Sequence, residues 1–129
     1  MKNTTSDHKA SLNKVMNSEE ILFYQELIRR IPVADNVLEY AVKLASKTRP
    51  STSMATENVN KYLSWGAGPR ASQYLVLGAK CNAAINGKYS PDIADVQKVA
   101  PAILRHRIVR NYKAEAEGMS VDKIIGELV

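Results

Sequence analysis

The stretch Gly66-Ala67-Gly68-Pro69-Arg70-Ala71 leads directly into a helix-forming segment that continues to residue 86. Proline suits the first position of a helix because its φ is already close to the helical value, and the flanking glycines allow a sharp turn. The pattern therefore predicts that Arg70 lies in the first helical turn. The helix dipole is positive at this end and slightly disfavours a cation. An arginine at this position therefore indicates that an anion lies nearby. A glycine-capped helix start whose arginine faces water is the alternative, and the local sequence does not separate the two.

Two helices are predicted before this stretch. The first begins at Asn17, which forms a capping box with Glu20, and it ends at Pro32. The second is capped by Asp35 and ends before Pro50. The residues expected to face the core are Ile21, Tyr24, Leu27, Ile28 and Ile31 in the first helix, Val37, Ala41, Leu44 and Ala45 in the second, and Ala71, Tyr74, Leu75, Gly78, Cys81, Asn82 and Ile85 in the third.

Further helices are predicted after this stretch. Gly87 is the expected left-handed cap of the third helix, and Asp92 with Asp95 resembles a capping pair for a fourth. Pro101 is expected to break or kink that helix, and Ser120 caps a last one. Since no segment alternates convincingly with β-branched enrichment, the predicted fold class is all-α, a small helical bundle of about five to six helices.

Two segments lack a helical period. Residues 1–14 are polar and are predicted to be a flexible lead-in, which leaves residues 15–129 as one helical domain. Residues 50–65 are rich in Ser, Thr and Asn, and they are predicted to form the longest loop of the chain, mobile in the isolated domain.

Composition narrows the class of protein. The chain has 129 residues, a net charge of +5 and one cysteine, Cys81, which excludes disulfide scaffolds and cysteine-based zinc sites. Its basic residues are scattered, so the charge is weak support for a phosphate-bearing partner. Neither a signal sequence nor a run of roughly 18 apolar residues is present, which favours a cytoplasmic protein without a membrane partner.

Local catalytic signatures are missing. The sequence holds no phosphate-binding loop, no His-Glu-x-x-His and no Gly-x-Ser-x-Gly motif. His8 and His106 are far apart, so no metal site is predicted, and Glu115 and Glu117 point to different sides of a helix and cannot form an acid–base pair. The cluster Arg105-His106-Arg107 with Arg110 and Lys113 fits a nucleic-acid-binding module, although such clusters more often form a solvated face or pair with acidic neighbours. A helical protein-interaction domain is the other alternative.

The ordered set of motifs resembles the C-terminal helical lid of MoxR-type AAA+ ATPases. Gly66-Ala67-Gly68-Pro69-Arg70-Ala71-Ser72 is similar to the second sensor motif of that lid, with Gly68 where the family usually has serine. The likeness runs from residue 15 to residue 129. Its other motifs are Asn17-Ser18-Glu19-Glu20-Ile21, Gln25-Glu26-Leu27, Val33, Asp35, Tyr40, Thr48-Arg49, Gly87-Lys88, Asp95-Val96, Ala100-Pro101, Leu104-Arg105-His106-Arg107 and Glu115-Ala116-Glu117-Gly118.

The resemblance implies a site and partners. Arg70 is then the catalytic sensor-2 arginine that reaches the γ-phosphate of ATP, and Gly68, Pro69 and Arg70 bind this cofactor, with Mg²⁺ held by a core domain that the sequence lacks. The implied partners are that N-terminal AAA+ core and the neighbouring subunits of a hexameric ring. The implied activity of the parent enzyme is ATP hydrolysis that drives chaperone-like remodelling of a client protein, often a metal-cofactor or von Willebrand factor A-domain protein.

The isolated chain is expected to fold but not to hydrolyse ATP, because it has several capped amphipathic helices and no phosphate-binding loop. Circular dichroism and phosphate release on the purified 129-residue chain check both statements. A turnover that survives repeated purification contradicts the prediction, whereas weak nucleotide binding does not.

Overall fold

A computed structural model of the protein describes residues 12–129. Across these residues the chain forms seven helices and one short antiparallel strand pair, which confirms the all-α class with one helix more than expected. The helices are α1 (Ser18–Arg30), α2 (Asp35–Lys47), α3 (Glu57–Tyr62), α4 (Arg70–Ile85), α5 (Ile93–Leu104), α6 (Tyr112–Ala116) and α7 (Val121–Gly126), and the strands are β1 (Leu63–Trp65) and β2 (Val109–Arg110).

Helix α4 lies at the centre of the bundle and contacts α1, α2 and α5. Its buried residues are Ala71, Leu75, Ala79 and Ala83, which recur every four positions and therefore lie on one face of the helix. Because three of these four residues are alanines, neighbouring helices can approach this face closely. Tyr74 and Ile85, which were expected on this face, are 48% and 85% exposed. The prediction was wrong for these two residues because Tyr74 lines an open groove beside α1 and Ile85 is the last residue of α4.

Most of the predicted helix ends are confirmed. Asn17 and Glu20 exchange two hydrogen bonds of 2.8 Å, and Asp92 and Asp95 form the second capping box. Gly87 has a φ of +71°, as a left-handed cap requires. The buried residues of α2 are the four that its period predicts, Val37, Ala41, Leu44 and Ala45.

The predicted core face of the first helix is also wrong in part. Ile21, Tyr24 and Leu27, which were expected to face the core, are 46%, 51% and 42% exposed, because α1 packs on the bundle mainly through α4.

Some predicted element boundaries differ from the structure as well. Residues 50–65 contain α3 and β1 rather than one long loop, because a helix of six residues is too short to show a period and its Thr56 cap is the main local signal. The break that was one of the two outcomes expected at Pro101 does not occur: helix α5 continues to Leu104, since burial of residues on both sides of the proline offsets one missing N–H group. Asp35 is the first residue of α2, and Ala34 occupies the cap position without a side-chain hydrogen bond. The flexible lead-in was predicted for residues 1–14, and residues 1–11 of it lie outside the described residues.

A buried carboxylate fixes the connection between α4 and α5. Asp95 is 2% exposed and accepts hydrogen bonds from the Asn82 amide (2.6 Å), the Lys88 ammonium (3.1 Å) and the backbone N–H of Asp92 (2.9 Å). Burial alone would raise the pKa of Asp95, but the hydrogen bonds from Asp92, Asn82 and Lys88 outweigh it and lower that pKa below its ordinary value of 3.8. The ionised form of Asp95 therefore stabilises the fold.

We expect Asp95→Asn to lower the free energy of unfolding at neutral pH by about 1–3 kcal/mol, because Lys88 and Asn82 lose their shared carboxylate. A carboxyl whose pKa is lowered by folding stabilises the protein above its unfolded pKa and loses this contribution as the pH falls through 3.8 and below. The wild-type protein should therefore lose stability more steeply with falling pH than the variant does. Urea unfolding curves recorded at several pH values measure both effects.

Asp92→Asn is the matched control for this prediction. Asparagine keeps the N-cap of α5, and the variant loses only the ion pair of Asp92 with Lys88, in which both side chains are substantially exposed. Its free energy of unfolding should change by less than about 0.5 kcal/mol. Equal losses in the two variants would contradict the role assigned to Asp95.

Candidate functional site

Arg70 lies in the first turn of α4, as the sequence predicts, but it is the first residue of that helix, and Pro69 occupies the cap position rather than the first helical position. Pro69 precedes it with a helical backbone (φ −58°, ψ −31°), and Gly68, Pro69 and Arg70 are all exposed. Among residues 12–129, no carboxylate lies within ion-pair distance of the Arg70 guanidinium. The start of α4 therefore presents to the surface a cation that no carboxylate of the described residues neutralises.

The backbone at this helix start is partly occupied. The N–H groups of Ala71 and Ser72 donate to the carbonyls of Gly68 and Pro69 at 2.9 and 3.2 Å, and no side chain in the described part of the chain caps the helix. Because Pro69 has no N–H group, fewer backbone donors are free than at an ordinary helix start. An anion at this point would therefore depend mainly on the Arg70 side chain.

Two side chains at the end of α2 hold Ala67, the buried residue of the turn before α4. Thr48 is fully buried, and its hydroxyl donates to the carbonyl of Ala45 at 2.7 Å and accepts from the N–H of Ala67 at 2.8 Å. Nε of Arg49 donates to the carbonyl of Ala67 at 2.9 Å. Both backbone groups of Ala67 are thus bonded to side chains that follow α2, which fixes the turn relative to that helix.

Gly66 lies directly against the same segment. A Cβ atom added at Gly66 would lie 2.4 Å from the carbonyl oxygen of Thr48 and 2.5 Å from Cα of Arg49, which are both backbone atoms. No such neighbour lies within 4 Å of the corresponding position at Gly68. The first glycine is therefore required for close approach, whereas the second leaves open space beside Arg70.

The residues that hold the turn were not identified as such from the sequence. Thr48 and Arg49 matched a family pattern, but their separation from Ala67 by 18 or more positions gives no local signal of contact. Trp65, which was placed in a loop, pairs with Val109 across the strands and is 73% exposed. A lone tryptophan directly before a glycine-rich turn is the sequence signal that could have directed attention to it.

The arginines of the basic cluster are engaged within the fold. Arg105 forms an ion pair with Asp122 at 2.7 Å, and Arg110 donates to the carbonyl of Met119 at 2.9 Å. Arg107 donates to the carbonyl of Ile103 at 2.7 Å and lies over the ring of Tyr74, 4.8 Å from its centre. Each of these three arginines therefore has a partner within the fold.

Glu117, a candidate acid or base, has a structural role. It accepts hydrogen bonds from the Tyr62 hydroxyl (2.7 Å) and the Lys61 ammonium (3.0 Å), which lower its pKa and join α6 to α3.

Within residues 12–129, no group of three or more His, Cys, Asp or Glu side chains could hold a metal ion. None of the helices in the same range has the length and apolar composition that crossing a membrane requires.

Helix α1 presents an unusual amount of apolar surface. None of its residues is buried, and Leu22 and Phe23 are each 61% exposed. An open groove of about 560 Å³ separates α1 from α4 and is lined mainly by apolar side chains, among them Tyr24 and Tyr74. Exposed apolar surface on this scale is typical of an interaction site.

Comparison with known proteins identifies relatives of this fold. The family model described as "AAA lid domain" matches residues 55–128. The chain is 28% identical over 116 residues to Chaperone MoxR1 of Mycobacterium tuberculosis (strain ATCC 25618 / H37Rv), which covers 90% of this chain and 31% of that protein. It is also 27% identical over 119 residues to the uncharacterised protein YeaC of Bacillus subtilis (strain 168). This match covers 92% of the present chain and 34% of YeaC.

A solved structure shares the fold. The crystal structure of a candidate ATPase from Cytophaga hutchinsonii ATCC 33406 superposes with a TM-score of 0.79 and 32% identity, covering 85% of this chain and 33% of the other. The present chain thus spans about a third of the length of each of these relatives.

The two glycines of the turn give a matched pair of variants. We expect Gly66→Ala to lower the free energy of unfolding of the 129-residue chain by about 1–3 kcal/mol, because the new methyl group meets backbone atoms that cannot move aside. Gly68→Ala should change it by less than about 0.5 kcal/mol. Chemical denaturation measures both values, and equal losses would show that the close approach at Gly66 does not support the fold.

Proposed function

The chain belongs to the AAA lid domain family, as a lid of the MoxR type, and from this premise we propose that Arg70 contacts the terminal phosphate of ATP bound between the lid and an AAA+ core. Arg70 then acts as the sensor-2 arginine of the assembled enzyme. In this proposal Gly68 and Pro69 form the part of the lid backbone that lies beside the nucleotide. The core domain binds most of the nucleotide and holds Mg²⁺.

The observation that carries the proposal is the exposed, uncompensated guanidinium of Arg70 at the start of the central helix. Its position between the buried residues Ala67 and Ala71 gives it a fixed origin, while no described carboxylate neutralises it. Gly68 leaves open space next to it, which a phosphate group can occupy. A surface arginine that served only solubility would not need a backbone position fixed on both sides by buried residues.

The chemistry of the side chain suits this role. A guanidinium presents a planar fork of N–H donors that matches two phosphate oxygens at once, and it stays protonated at physiological pH. Bound Mg²⁺·ATP supplies the phosphoryl group that is transferred to water. Arg70 stabilises the negative charge that develops on this group, and the dipole of α4 adds a weaker attraction in the same direction.

The apolar surface of α1 supports the proposed partners. We infer that the ATPase core, in the same subunit or in a neighbouring one of a hexameric ring, covers Leu22 and Phe23, because these side chains are otherwise left in water. The activity proposed for the assembly is ATP-driven remodelling of a client protein. The relation to a protein named as a chaperone supports this last step.

We expect Arg70→Ala, made in the assembled ATPase, to lower the turnover of ATP by about a hundred- to a thousandfold, because a charged donor to the developing phosphate charge is lost. Arg70→Lys should restore activity only in part, since an ammonium keeps the charge but loses the two-pronged geometry. Phosphate release at saturating ATP measures turnover, and thermal melting measures the fold, which should change little in either variant.

Lys98→Ala is the control for removal of a positive charge, because Lys98 is an exposed cation on α5, away from the turn. It should leave turnover within about twofold of wild type, as expected for a surface substitution outside a site. The proposal fails if Arg70→Ala lowers the melting temperature by many degrees while the folded fraction hydrolyses ATP at the normal rate. Arg70 would then be a structural residue.

A further inference from the structure

We propose that Arg49 is a positioning residue for Arg70: its hydrogen bond to Ala67 sets the direction in which the Arg70 side chain leaves the start of α4. This inference rests on the proposed contact between Arg70 and the phosphate. Arg49 does not contact the nucleotide in this account. It acts through the backbone of the turn.

The turn has few contacts that could orient Arg70. Only Gly68 and Pro69 separate Ala67 from Arg70, both are exposed, and no side chain caps α4. On the far side Ala71 is held by burial in the core. The near side is therefore held at Ala67, and the bond from Arg49 Nε to the Ala67 carbonyl is one of the two hydrogen bonds that hold it there.

Arg49 differs from Thr48, the other residue that holds Ala67. The Thr48 hydroxyl is fully buried and bonds to two backbone groups inside the core, so its loss would disturb the fold as a whole. Arg49 is only half-buried and donates from the edge of the core. No carboxylate among residues 12–129 lies within ion-pair distance of it, so no ion pair in this part of the chain uses its charge.

Two substitutions separate the hydrogen bond from the charge. Arg49→Gln places an amide nitrogen the same number of bonds from Cα as Nε of arginine, so it keeps a donor and loses the charge. Arg49→Met has a similar length but has neither donor nor charge. A residue that positions the turn should tolerate glutamine, whereas a residue that binds phosphate directly should tolerate neither.

The test measures turnover of the assembled ATPase at saturating ATP in two backgrounds. We expect Arg49→Met to lower kcat about tenfold and Arg49→Gln less than about threefold, as the loss or retention of one hydrogen bond predicts. In the Arg70→Ala background, Arg49→Met should lower kcat by less than about twofold, because the residue through which it acts is gone. Backbone order parameters of Gly68 and Arg70 in the 129-residue chain should fall in Arg49→Met and not in Arg49→Gln.

Each other outcome is decisive. Equal losses for methionine and glutamine would show that the charge matters rather than the hydrogen bond, and equal factors in both backgrounds would show that Arg49 acts independently of Arg70. Either result overturns this inference and leaves the phosphate contact of Arg70 standing. Global unfolding of Arg49→Met would make Arg49 a structural residue and also overturns it. If Arg70→Ala alone leaves turnover unchanged, the proposed function fails and this inference fails with it.

Discussion

The close approach of Gly66 to the backbone of Thr48 and Arg49 is the constraint on which the site depends. At this point the chain that leaves β1 crosses the end of α2, and a side chain larger than hydrogen would collide with backbone atoms. The approach brings Ala67 within hydrogen-bond distance of Thr48 and Arg49. It thereby couples the first half of the bundle to the start of α4, the helix that contacts three of the other helices.

The turn before α4 has a part that is packed against the bundle and a part that is exposed. Gly66 and Ala67 are held by the bundle, whereas Gly68, Pro69 and Arg70 are exposed, and within residues 12–129 no carboxylate pairs with Arg70. In contrast, the arginines that follow α5 have hydrogen-bond partners within the fold. The difference between these two groups of arginines distinguishes a proposed nucleotide contact from a structural network.

The sequence alone predicted those features that local chemistry determines. Capping boxes at Asn17 and Asp92 and the buried face of α2 depend on residues within one or two turns of each other, so their patterns are legible in the chain. Helix α3 was missed because its burial depends on α6, to which Tyr62 and Lys61 are joined through Glu117. The partners of Ala67 were missed for the same reason, since contacts between distant segments leave no periodic signal. The position of Arg70 was predicted because the Gly-Pro-Arg order fixes a helix start locally.

The most direct measurement is a crystal structure of the ATPase assembled with this lid, bound to Mg²⁺ and a non-hydrolysable ATP analogue. We expect two guanidinium nitrogens of Arg70 to lie about 2.7–3.1 Å from oxygens of the terminal phosphate. Ala67 should keep its hydrogen bonds to Thr48 and Arg49 in that complex. An Arg70 side chain that faces solvent, or that pairs with a carboxylate of the core while other residues contact the terminal phosphate, would contradict the proposed phosphate contact.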